Sequence, residues 1–124
     1  FHPDIRDLID IANPDILQPD LLRVGGLSEM KKVFDLAITN NKPIMPHSPV
    51  AGINSIASIH AYSTVKNATQ PHEYSTDFIG QIKPLVDLYG DSILPVNGSI
   101  RVPDLPGYGI ELNETALKSM LDNQ

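Results

Sequence analysis

The sequence predicts an α/β fold built on parallel strands, and three observations carry that prediction. Short apolar runs ending in an ionisable side chain recur along the chain: Ile16-Leu17-Gln18-Pro19-Asp20, Pro43-Ile44-Met45-Pro46-His47 and, more weakly, Val65 to Glu73. Their ends, Asp20, His47 and Glu73, fall 27 and 26 residues apart, the length of a strand, a crossover helix and two loops. Between the runs, apolar residues recur at i, i+3, i+4 and i+7, the spacing of a helix with one buried face.

In order, Pro3 and Asp4 suit the first turn of a helix carrying Ile5, Leu8, Ile9 and Ala12 on one face, stopped by Asn13-Pro14. A strand over 16–19 follows, then an apolar stretch closed by Gly25-Gly26. The next helix is expected from Ser28, as N-cap, to Thr39, with Met30, Val33, Phe34 and Ala37 inward and Asn40-Asn41 ending it. After the His47 strand, Val50-Ala51-Gly52 leads to a helix with Ile53, Ile56, Ala57, His60 and Ala61 on one face. Asp77 to Tyr89 reads as a short helix interrupted by Pro84. Asn97-Gly98 predicts a hairpin, because that pair supplies the positive φ angles of a type I′ turn. Pro103 to Glu111 is rich in turn formers. Asn113 caps a last helix, with Leu112 and Leu117 spaced as a hydrophobic staple.

Composition narrows the function. The chain has 124 residues, a net charge of −6 and nine scattered Lys and Arg, so no basic stripe exists for phosphates and no nucleic-acid partner is expected. There is no cysteine for disulfides or thiolate metal sites. No apolar run reaches the ~18–20 residues of a membrane span, and no signal peptide is evident; a cytoplasmic location without membrane association is expected. The chain starts Phe1-His2-Pro3 without methionine, as expected either of a chain whose upstream segment was removed or of a piece of a longer protein.

Equal intervals put Asp20, His47 and Glu73 at one level of three strands. Neighbouring strands lie ~4.8 Å apart, so the three side chains would converge at the carboxyl edge, where α/β folds hold their ligands. Histidine, with an ordinary pKa of ~6.5, suits proton abstraction near neutrality. A carboxylate on the next strand would fix its tautomer, the role aspartate has in hydrolase triads. Plainer readings stand beside these: Asp20 as a cap for the turn at Leu21 to Gly26, Glu73 as a solvated loop carboxylate, and Arg23 as either a residue of the site mouth or half of a surface pair. His60 reads as a hydrogen-bonded core histidine, His2 and His72 as solvent-facing, and Lys31-Lys32 as a solvated face.

Taken together, Gln18-Pro19-Asp20, Arg23-Val24-Gly25-Gly26-Leu27-Ser28-Glu29, Pro46-His47-Ser48-Pro49, Glu73 and Val102-Pro103-Asp104-Leu105-Pro106-Gly107-Tyr108-Gly109-Ile110-Glu111 resemble the carboxyl-terminal third of the mandelate racemase and muconate lactonizing enzyme family, in the enolase superfamily. The Pro-His-Ser-Pro loop and His60 are most similar to its galactonate- and gluconate-type acid-sugar dehydratases. The resemblance implies a partial (β/α) TIM-type barrel, its last three βα units over 1–91, with a carboxyl-terminal hairpin and tail over 92–124 against a capping domain. A complete barrel needs ~250 residues. It also implies catalytic roles for His47 and Asp20 as a dyad and for Glu73 as a hydrogen-bond partner of the substrate carboxylate or enolate, which Glu73 could donate to if an apolar pocket held it protonated. Arg23 and Ser48 are the candidate substrate-binding residues. Mg²⁺ is implied as the cofactor of the intact enzyme, with its ligands outside this chain, so no metal ligand is assigned here. The expected partners are a sugar acid, the rest of the barrel and cap, and further copies in a homo-oligomer. The fragment alone is expected to be inactive. A racemase or epimerase uses the same dyad, and the alternatives from other classes are a non-catalytic α/β assembly module and, third, a small doubly wound anion-binding domain.

Overall fold

A computed structural model describes residues 3–48, 52–66, 68–75 and 79–122. The expectations for His2, Pro49, Val50, Ala51 and Asp77 lie outside them.

Two extended segments run parallel at the centre. Leu17 N–H donates to Pro43 O (2.9 Å), Met45 N–H to Leu17 O (2.9 Å) and His47 N–H to Pro19 O (3.0 Å). Leu17 thereby pairs with Ile44 and Asp20 with His47, both in the register the repeat interval predicts. Prolines are tolerated because Pro19 and Pro43 enter the ladder through their carbonyls alone. The third run differs from expectation: residues 68–75 form no strand and join the pair through one bond, Glu73 N–H to Pro46 O at 3.2 Å. Pro71 has no N–H to give, and Lys66 to Gln70 lack an alternating apolar face.

Helix α1 (Pro3–Asp7) passes into a π-helical turn (Leu8–Ala12). The wider turn breaks the i, i+3, i+4, i+7 stripe, so Ile9 is buried while Leu8 and Ala12 are exposed. Asn13, at φ 48°, closes it through N–H to Leu8 O. Helix α2 (Leu21–Val24) ends at Gly25 and Gly26, at φ 98° and 102°, left-handed geometry that glycine takes without strain. Helix α3 (Leu27–Thr39) begins one residue before Ser28, on Gly26 and with no side-chain cap. Met30, Val33, Phe34 and Ala37 are all buried, as their spacing predicts. Met30, Phe34 and Ala37 pack with Leu17, Leu21, Ile44, Ala57 and Tyr62 in the core.

Helix α4 (Ile53–Ser63) buries Ile56 and Ala57 as expected and packs Ala61 against the core, but the rest of its inward face differs. Ser55, Ile56, Ala57, Ser58 and Tyr62 are buried, whereas Ile53 is largely exposed. Helix α5 (Ile79–Tyr89) runs through Pro84 without interruption, forgoing one backbone bond. A 3₁₀ turn (Asp91–Ile93) leads to the hairpin, which consists of the single pair Val96 and Ser99 around Asn97 (φ 51°) and Gly98 (φ 77°). In helix α6 (Glu114–Asp122), Asn113 Oδ1 accepts from Ala116 N–H at 3.1 Å, the cap its sequence predicts. His60 is no core residue: it is half-buried against the tail and its Nε2–H donates to Tyr108 O at 3.0 Å.

Candidate active site

Asp20 is the last residue before α2 and has extended backbone geometry. Its Oδ1 accepts from Leu22 N–H (2.8 Å) and Arg23 N–H (3.3 Å), which caps the helix. Its Oδ2 lies 2.7 Å from His47 Nδ1. One carboxylate oxygen thus caps the helix and the other meets the imidazole. Burial pushes the Asp20 carboxyl up, but the hydrogen bond from His47 and those from the Leu22 and Arg23 amides outweigh it, so the group lies below its ordinary range.

A carboxylate can only accept, so Nδ1 of His47 carries the hydrogen and, in the neutral ring, Nε2 is left with a lone pair. The His47 side chain is 40% exposed, against 10% for Asp20. Both border a cleft of about 350 Å³, lined also by Ile5, Gln18, Pro19, Arg23 and Val24. Arg23 thus stands at the mouth of the cleft, and among the described residues it forms no ion pair.

Glu73 comes to the other side of the ring, its Oε2 3.8 Å from His47 Nε2. That oxygen accepts from Ser48 N–H at 2.7 Å. The Glu73 side chain is 33% exposed, so no apolar pocket encloses it. Ser48 is 1% exposed and its Oγ is 2.7 Å from Ser55 Oγ. Its hydroxyl faces the interior, away from where a substrate would bind, and its backbone N–H is what meets the site.

The sequence reading missed three residues beside these. His72 is not solvent-facing: it is half-buried, with Nδ1 2.7 Å from Glu73 O and Nε2 2.8 Å from Ser58 Oγ. Burial pushes its imidazole down, against the opposing pull of the Glu73 carbonyl and charge. Ser55 and Ser58 were available as a signal, two small polar residues one turn apart in an apolar helix face.

The described residues do not fit a magnesium site. Both oxygens of Asp20 and Oε2 of Glu73 already accept internal hydrogen bonds, and among the described residues no group of three or more His, Asp or Glu could hold a metal ion.

Residues 2–116 match the family "Enolase C-terminal domain-like", and the chain belongs to that family. It is 32% identical to the L-rhamnonate dehydratase of Saccharopolyspora erythraea, over 95% of this chain and 30% of the relative. Against the D-xylonate dehydratase of Haloferax volcanii the identity is 32%, over 92% of this chain and 27% of that one. The crystal structure of a mandelate racemase/muconate lactonizing protein from Paracoccus denitrificans PD1222 complexed with magnesium superposes with a TM-score of 0.82 and 29% identity, over 94% of this chain and 30% of that chain. The chain thus spans under a third of the length of these curated relatives. Among the described residues no helix is long and apolar enough to cross a membrane.

Proposed function

We propose that this chain is the carboxyl-terminal part of a magnesium-dependent acid-sugar dehydratase: a partial barrel over 1–91 and a tail over 92–124 that packs on the capping domain. The observation that carries the reading is the 2.7 Å contact between Asp20 Oδ2 and His47 Nδ1, which leaves Nε2 open beside the cleft. In this mechanism Nε2 takes the α-proton of a sugar-acid carboxylate, and Asp20 holds the tautomer and balances the imidazolium that forms. Glu73, fixed by Ser48 N–H, hydrogen-bonds the substrate carboxylate or the enolate. The β-hydroxyl departs with a proton as water, and the enol product tautomerises to a 2-keto-3-deoxy acid. Arg23 reaches the substrate's distal hydroxyl groups from the cleft mouth. Magnesium would be held by carboxylates outside this chain, so residues 1–124 alone turn nothing over.

The test takes a polypeptide that joins these residues to the rest of the barrel and cap, with Mg²⁺ and a panel of sugar acids, and follows keto-acid release and α-proton exchange. Keto-acid release supports the reading. Exchange without release makes the protein a racemase or epimerase, and neither activity leaves the assembly-module reading.

A further inference from the structure

The third run is held in place unusually. Among the described residues it has a single main-chain bond to the parallel pair, Glu73 N–H to Pro46 O, yet it carries a carboxyl oxygen 3.8 Å from His47 Nε2. What replaces the ladder is a polar stripe on α4. Ser55, Ser58 and Tyr62 lie at i, i+3 and i+7 and are all buried. Tyr62 O–H reaches Gln70 O at 2.8 Å. Ser58 reaches His72, and Ser55 reaches Ser48, whose N–H holds Glu73 Oε2.

We propose that His72 and Ser58 are positioning residues for Glu73, fixing its main chain so that its carboxyl group stays beside His47. The inference rests on the proposed function, in which Glu73 meets the substrate. The Glu73 carbonyl can only accept, so the hydrogen sits on Nδ1 of His72, and the neutral ring accepts the Ser58 hydroxyl hydrogen at Nε2. Ser58 is fully buried, so its hydroxyl is held to a partner. The Tyr62 ring, 6.2 Å from that of His72 by centroid, flanks the imidazole. The Glu73 carbonyl thereby sets the imidazole tautomer, and the ring, held by Ser58, ties the peptide of Glu73 to the helix.

Three variants test this: His72→Ala, His72→Asn, whose amide N–H can donate where Nδ1–H does, and Ser58→Ala. The first readout is amide exchange at Ser48, whose N–H is bound only as well as Glu73 is placed. His72→Ala is expected to speed it at least tenfold, and His72→Asn to restore it to within threefold of the wild type. The second is kcat for α-proton exchange in the joined polypeptide, expected to fall about tenfold in His72→Ala with KM within twofold, to recover in His72→Asn, and to fall no further when His72→Ala is added to Glu73→Gln. Should His72→Ala not fold, Ser58→Ala, which deletes one hydroxyl, is expected to show the same two effects at smaller size. Unchanged Ser48 exchange in a folded variant, or a full extra loss on the Glu73→Gln background, overturns the proposal. A wild type without turnover on any sugar acid overturns the proposed function instead and leaves Ser48 exchange to decide the positioning role.

Discussion

Replacing Asp20 by Asn separates the two tasks of that side chain. The change is isosteric, so Oδ1 can go on accepting the Leu22 and Arg23 amides at 2.8 and 3.3 Å and α2 stays capped. The amide nitrogen then takes the place of Oδ2, facing His47 Nδ1 across the former 2.7 Å. An amide N–H₂ only donates, so Nδ1 must become the acceptor and the ring hydrogen moves to Nε2. A base that already carries its proton cannot take another. Folding should suffer little, because a charge-assisted bond becomes a neutral one at a cost of about 1 kcal/mol. Proton abstraction should fall roughly 10³- to 10⁴-fold, the scale of the corresponding tautomer error in a hydrolase triad. Asp20→Ala should lose about 1 kcal/mol more than Asp20→Asn, because it also removes the cap. The assay is α-deuterium incorporation into the active sugar acid, with ¹⁵N NMR reporting which His47 nitrogen is protonated. Exchange within tenfold of the wild type, or a ring still protonated at Nδ1 in the variant, would refute the tautomer argument. Acid titration adds a check. Because the folded Asp20 carboxyl lies below its ordinary value of 3.8, its contribution is complete above that value and is lost as pH falls toward the folded pKa. Asp20→Asn should abolish that part of the acid slope.

For His72, burial puts the folded pKa below the ordinary 6.5, so the unfolded chain takes the proton first as pH falls. Stability should therefore be full above 6.5 and decline below it, and His72→Asn should flatten the decline in denaturant midpoints. Tyr62→Phe removes the hydroxyl shared by Ile44 O (2.7 Å) and Gln70 O (2.8 Å) and should cost about 1–2 kcal/mol in equilibrium unfolding; no measurable cost would mean water takes its place without loss. Gly107 and Gly109 share φ +68°, but a Cβ at 109 would clash with Pro103 Cβ while nothing lies within 4 Å of one at 107. Gly107→Ala should cost about 1–2 kcal/mol of strain, and Gly109→Ala at least about 1 kcal/mol beyond that; equal costs would count against the packing of Pro103 on Gly109.

The central pairing was legible because it depends on spacing: Leu17 with Ile44 and Asp20 with His47 share one interval, and a ladder has one register for it. The α3 face was legible for a similar reason, since Met30, Val33, Phe34 and Ala37 are large or apolar and nothing competes with them. The α4 face was legible only at Ile56, Ala57 and Ala61. Hydropathy counts serine as polar, yet Ser55 and Ser58 are buried because each has a hydrogen-bond partner that no local pattern reveals. The third strand misled because its end residue, Glu73, arrives at the right level without a ladder behind it. His72 looked exposed beside Pro71 and Glu73, and only the tertiary approach of α4 encloses it. The π-helical turn after Asp7 is likewise invisible to a fixed 3.6-residue period.

The direct pairing of Asp20 with His47 across the ladder also divides the chain by its tolerance of insertions. Extra residues at Asn40-Asn41, where α3 gives way to the second segment, lengthen a surface connection and leave both partners in register. One residue added between Pro43 and His47 would instead turn the histidine to the opposite face of the pair and separate it from its carboxylate. Descendants of such a chain can thus drift in loop length around α3 while the four residues from Pro43 to Pro46 stay fixed in number, and a count of residues between Pro43 and His47 becomes a quick screen for which variants keep the dyad.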